Sequence, residues 1–187
     1  MSLIVGIDPS LTATGIVVLR DGQVELARVT PNKPELDTLT RVFMIHHIIT
    51  SIIENLKDET RGSWSPPDMI VIEGFSYGSK GRSVFDIAYL GWRIREELDK
   101  LKREDGIPWM EVPPTTLKKY ATGKGNSSKE IILQQVYKRW GYETHDNNIA
   151  DAYVLAQIGE AYCDNCVNDT APDFQQKVIN DLKKMSE

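Results

Sequence analysis

Apolar and polar positions fall in blocks along the chain, and the block boundaries predict its elements. Residues 3–8 (LIVGID) are a continuous apolar run ending in an acid, and residues 14–20 (TGIVVLR) form a second run after a Pro-Ser-Leu-Thr connection. Asp21-Gly22 separates that run from residues 23–30 (QVELARVT), where apolar and polar positions alternate. Asp-Gly between two such runs signals a hairpin, because both residues tolerate the positive φ of a tight turn. Three antiparallel strands are therefore predicted. Residues 36–56 then place Leu39, Val42, Phe43, Ile45, Ile49, Ile52, Ile53 and Leu56 at the spacing of a helix with one buried face. RGSWSPPD (61–68) breaks the pattern, and MIVIEGF (69–75) reads as a fourth strand, continuous in apolar character and so central to the sheet. A helix over 84–104 carries Val84, Ile87, Leu90, Ile94, Leu98 and Leu101 on one side, and PWMEVPP (108–114) is a fifth strand stopped by two prolines. Ser127-x-x-Glu130 has the form of a capping box, which predicts a helix from Ser128 to Trp140. A last core helix is predicted over 148–162.

The order β-β-β-α-β-α-β-α-α implies an α/β fold: a mixed five-stranded sheet, three antiparallel strands then parallel ones, with helices on both faces. Residues 1–162 are expected to form one domain, and 163–187 an acidic C-terminal tail or extra helix from about Pro172. The length of 187 residues agrees with one domain plus a tail. No apolar run reaches the roughly 18 residues that a spanning helix needs, so no membrane partner is expected. The first ten residues lack a basic n-region and a cleavage site, which predicts a cytoplasmic protein.

Charge changes the picture only through its distribution. The net charge is −5. Residues 77–140, however, carry 13 Lys and Arg against 8 Asp and Glu, whereas 141–187 carry 3 against 9. Basic charge gathered in the middle third suits a local polyanion site. Cys163 and Cys166 form a lone C-x-x-C; zinc needs about four ligands and there is no second pair, so two reduced thiols near a helix end are expected.

The candidate chemistry lies in isolated acids. Asp8 and Glu73 each stand at the carboxyl end of an apolar strand, where a charge needs a partner or a metal. If the two strands are neighbours, their acids meet, and two close carboxylates repel unless a cation lies between them. Asp151, near the start of a helix that reads as buried, could reach the same point. Oxygen-only ligands select Mg²⁺ or Mn²⁺ over zinc. Two such ions about 3.5–4 Å apart activate a water and stabilise the leaving oxygen of a phosphodiester.

With these residues in place, the chain resembles the RuvC family of Holliday-junction resolvases within the RNase H-like nuclease superfamily, of bacterial or phage type. The matching pieces are GIDPSLTATG (6–15), IVIEGF (70–75), TTLKKYATGKGNSSKE (115–130) and ADAYVLA (150–156), in the family's order and spanning roughly residues 1–162. The resemblance implies an RNase H-like fold and a homodimer that binds four-way DNA junctions and cuts two strands of like polarity by two-metal hydrolysis. Asp8, Glu73 and Asp151 fall on the family's metal-binding acids. The family commonly has a further charged ligand three residues before the last acid; here that residue is Asn148, a neutral oxygen ligand. Asp146 is expected to supply an outer carboxylate, although residues five apart on a helix sit about 140° around its axis, and either Asp146 or Asn148 could instead cap the helix.

Two basic segments complete the expectation. Lys118, Lys119, Lys124 and Lys129 surround Gly123 and Gly125, where ammonium groups, backbone N–H groups and a helix N-terminus suit DNA phosphates. Lys118 and Lys129 match basic positions of the family motif. The loop GFSYGSKGRS (74–83) carries Phe75 and Tyr77, able to stack on unpaired bases, with Lys80 and Arg82 for phosphates; Phe75 has a core reading as well. Three alternatives stand beside the junction nuclease. GIDPSLTATG also resembles the first phosphate loop of the actin/hexokinase fold, but no second loop or lobe follows it. An RNase H-like nuclease could act on RNA or on branched or flap substrates. With Asn148 in place of an acid, the chain could bind junctions without cutting them.

Overall fold

The structure, a computed structural model, describes residues 2–56, 66–75, 83–163 and 171–185. Strands β1 (Leu3–Asp8), β2 (Gly15–Arg20) and β3 (Gln23–Val29) form an antiparallel meander, and β4 (Met69–Glu73) and β5 (Trp109–Val112) continue it in parallel. The sheet order is β3-β2-β1-β4-β5. The hairpin turn has Asp21 at φ 49° and Gly22 at φ 75°, the positive pair that the Asp-Gly signal requires. β1 and β4 are apolar up to their closing acids because helices cover both of their faces, whereas β3, at the edge, alternates between exposed and half-buried positions.

Successive side chains of a strand point to opposite faces, so each strand serves two cores. Leu3, Val5, Ile7, Ile70 and Ile72 pack with α1 (Thr38–Leu56) and α2 (Ser83–Asp105). Ile4, Met69 and Val71 face the other way, toward α3 (Pro114–Thr122), α4 (Lys129–Trp140), α5 (Asn147–Cys163) and α6 (Asp173–Met185). α5 is the central helix: residues 149–159 are all buried. It approaches β1 and β2 so closely that a Cβ at Gly6 would lie 2.7 Å from the Ala156 backbone N and on top of the Ala152 carbonyl. A Cβ at Gly15 would strike the Asn148 carbonyl in the same way. Glycine at these two positions sets how deep α5 sits.

Two expectations need correction. α3 was not foreseen: the segment after β5 reads as a lysine-rich connection, yet Pro113 and Pro114 open a helix there, and Gly123, at φ 85°, closes it in the left-handed conformation. The capping box at Ser127 does not form. Ser128 is the N-cap residue of α4, without a side-chain cap bond, and the Ser127 hydroxyl is buried against Thr122 Oγ1 at 2.7 Å and the Lys124 carbonyl at 3.1 Å. The acidic C-terminal segment forms α6, whose Val178, Ile179 and Leu182 are buried in the α5 core. Among the described residues no helix is long and apolar enough to cross a membrane.

Candidate active site

Parallel pairing of Ile7 with Ile72 brings the ends of β1 and β4 level. Asp8 and Glu73, the next residues, therefore emerge side by side, on the face that carries Gly6 and Val71 and is covered by α5. Their carboxyls lie close enough to act on one another's ionisation. Burial first, then the charges of Glu73 and Asp151, hold the Asp8 carboxyl well above its ordinary range. Glu73 is raised by burial, against the opposing pull of the Asp8 hydrogen bond and of Lys118 and Lys129.

Asp151 lies on α5, one turn beyond the Gly15 contact, and is 8% exposed. Burial and then the Glu73 charge push its carboxyl up to about 7, with Lys129 and Lys118 opposing. Asp8, at 7% exposure, completes a cluster of three acids drawn from three elements. Among the described residues none of the three has an ion pair. Nor does any group of three His, Cys, Asp or Glu side chains already stand in an arrangement that could hold a metal. Desolvation instead raises all three carboxyls above their ordinary range.

The other expected residues separate. Asp146 caps α5: its Oδ1 accepts from the backbone N–H groups of Asn148 (2.8 Å) and Ile149 (3.2 Å). Asn148 donates its side-chain N–H to the same oxygen at 3.1 Å, which leaves its amide oxygen as the acceptor. It lies three residues before Asp151, on the same side of the helix. Lys118, on α3, and Lys129, the first residue of α4, act electrostatically on the acids. Lys119 is half-buried and Lys124 exposed. The loop between α3 and α4 does not offer all its N–H groups to a ligand: that of Gly123 bonds to the Lys119 carbonyl and that of Lys124 to Thr122 Oγ1.

Phe75 is half-buried, with the Arg95 guanidinium 4.0 Å from its centroid and Trp92 at 5.7 Å. Its ring lines a cleft of about 430 Å³ that runs from Pro9 and Glu73 along α2 to Trp92. Tyr77, Lys80, Arg82 and Cys166 lie outside the described residues. Two participants were missed in the sequence, Arg95 and its partner Glu111. The available signal was a cation placed beside Ile94 and Leu98 on an otherwise apolar helix stripe.

No family model matches the chain. Its sequence is similar to two proteins named crossover junction endodeoxyribonuclease RuvC. That of Chlorobium phaeovibrioides is 29% identical over 142 residues, 72% of this chain and 67% of the relative. That of a Synechococcus strain is 26% identical over 165 residues, 83% of this chain and 96% of the relative. The fold is similar to that of Thermus thermophilus RuvC in its complex with Holliday junction substrate, with a TM-score of 0.67 at 16% identity, covering 89% of this chain and 97% of the other. In sequence, and in its mixed five-stranded α/β fold, the chain is thus similar to proteins named RuvC.

Proposed function

We propose that this protein is a metal-dependent endodeoxyribonuclease that cuts four-way DNA junctions, with Asp8, Glu73 and Asp151 as its catalytic acids. The observation that carries the reading is the mutual electrostatic influence of three carboxyls, Asp8 and Asp151 buried and Glu73 half-buried, which among the described residues have no ion pair but feel Lys118 and Lys129. The donor types are all oxygen and suit Mg²⁺ or Mn²⁺ once the acid side chains turn toward a common point, with the Asn148 amide oxygen as a neutral fourth ligand and two ions per site expected. Bound there, the ions would supply an activated water and stabilise the leaving oxygen.

The chain's own residues do the rest. Because desolvation raises the carboxyls of Asp8, Glu73 and Asp151, cation ligation by them would be linked to proton release. Lys118 and Lys129 hold the scissile phosphate against the acids, and Lys119 and Lys124 extend the contact to neighbouring phosphates. The Phe75 ring stands at the mouth of the cleft beside Glu73, where an unstacked base can rest on it. Paired cuts require two sites, and a second copy of the chain supplies the other. An exposed aromatic row on α2, with Phe85 78%, Trp92 64% and Tyr89 40% exposed, supports such a homodimer.

The test is substrate choice. End-labelled four-way junction, matched duplex and RNA–DNA hybrid are incubated with the protein and Mg²⁺ or Mn²⁺, and the cuts are mapped. Paired nicks in two junction strands of like polarity support the reading. Equal cutting of duplex or preferential cutting of the hybrid favours a different RNase H-like nuclease, and junction binding without cuts favours a binding protein.

A further inference from the structure

Arg95 is 4% exposed, with Ile94 and Leu98 as its neighbours along the buried side of α2. A buried guanidinium is tolerated only where its donors are met. Here Nε donates to Glu111 Oε2 at 2.8 Å, and Nη2 lies 2.7 Å from the same oxygen. Nη1 donates to the Gly91 carbonyl at 2.9 Å, and Nη2 also reaches the Glu73 carbonyl at 3.2 Å. The flat face of the group lies 4.0 Å from the Phe75 centroid. Glu111 is itself wedged against the chain after β4, since a Cβ at Gly74 would lie 2.7 Å from its Oε1.

The place where this network acts is informative. The sheet ladder ends here: the Gly74 N–H donates to the Val112 carbonyl at 2.8 Å, and the backbone then leaves β4. The Glu73 carbonyl points away from the strands to Arg95. We propose that Arg95 is a positioning residue: by holding the Glu73 carbonyl and capping the Phe75 ring it fixes the backbone from which the Glu73 carboxylate projects, with Glu111 as its counter-charge. This inference rests on the nuclease reading above. Lysine at position 95 keeps the charge but loses the planar fork and the stacking face, and glutamine at 111 keeps an acceptor without the charge.

The test compares the full-length wild type with Arg95→Lys and Glu111→Gln. Three quantities are read: the melting temperature with and without Mn²⁺, junction affinity in EDTA, and the single-turnover cutting rate at saturating junction. Both variants are expected to melt within about 4 °C of the wild type without metal, and to lose less in junction affinity, through the Phe75 ring, than in cutting rate. The cutting rate falls about tenfold to a hundredfold, as for a displaced catalytic group, and the Mn²⁺-induced rise in melting temperature shrinks because the cation binds more weakly. Unchanged cutting and an unchanged Mn²⁺ response in both variants would overturn the proposal. So would losses that merely track a lowered melting temperature in the absence of metal. If the wild type cuts no junction, the nuclease reading fails, and the Mn²⁺ response alone decides: a smaller response in Arg95→Lys supports the positioning role and an equal one refutes it. No response in the wild type overturns both.

Discussion

Gly6→Ala tests how the site is assembled, because the substituted atom lies two residues before Asp8 and directly beneath α5. An added Cβ would sit 2.7 Å from Ala156 N, whereas ordinary contact begins at 3.4 Å, so α5 must lift by at least 0.7 Å there, and further over the Ala152 carbonyl. Backbone atoms, not a flexible side-chain end, block the way. Overpacking of this kind costs about 1–3 kcal/mol, or roughly 3–10 °C in melting temperature for a domain of this size. Asp151 is carried on the same stretch of helix, beside Ala152, while Asp8 and Glu73 stay with the sheet. Separating catalytic groups by about 1 Å can cost about a hundredfold in rate, so the loss of cutting should far exceed the loss of folded protein at 25 °C. Gly159→Ala is the control: its Cβ would meet side chains, the Ile4 and Val71 methyl groups at 2.7 Å and Met69 Cγ at 3.7 Å, two turns further along α5. It should cost stability with a smaller loss of rate. Chemical denaturation and single-turnover cutting, measured on both variants, decide the matter. A folded Gly6→Ala protein that cuts at the wild-type rate would refute the argument that glycine sets the acid geometry.

Three further outcomes follow from the same structure. Because burial raises Asp151 from its ordinary 3.8 to about 7 in the folded state, the metal-free protein binds more protons folded than unfolded between those values. Its stability should therefore fall as pH rises through that window, by on the order of 2–4 kcal/mol; urea melts in EDTA should show a weaker fall for Asp151→Asn, and an equal fall would place the titration elsewhere. Asp146→Ala should cost about 1 kcal/mol as a lost helix cap while Mn²⁺ affinity holds in a calorimetric titration; a tenfold drop in affinity would place Asp146 in the site. Ile179→Ala, at a fully buried position of α6, should cost about 2–5 kcal/mol in chemical denaturation, and a cost near zero would mean that α6 does not belong to the core.

What could be read from the sequence was what periodicity and isolated charges encode. Continuous apolar runs ending in Asp8 and Glu73 located both strands, with each acid at its strand's end. Asp21-Gly22 fixed the hairpin through its positive φ values. α3 escaped because its nine residues are too few for a clear stripe and its lysines drew attention to charge, although Pro113-Pro114 marked its start. The roles of Asp146 and Ser127 turned on which of several nearby donors each oxygen meets, a matter of ångströms that spacing alone does not carry. Arg95 was hidden for the same reason: its partners lie on β4 and β5, and no local pattern names a partner across the sheet.

The most direct test of the central claim is the single-turnover rate of junction cutting against Mg²⁺ concentration for the wild type, Asp8→Asn and Glu73→Gln. If the three carboxylates gather the ions that drive hydrolysis, the wild-type rate rises from zero with Mg²⁺ and saturates, while both variants stay folded, bind the junction and do not cut it at any concentration. Cutting by either variant at the wild-type rate, or cutting by the wild type in EDTA, would contradict the account.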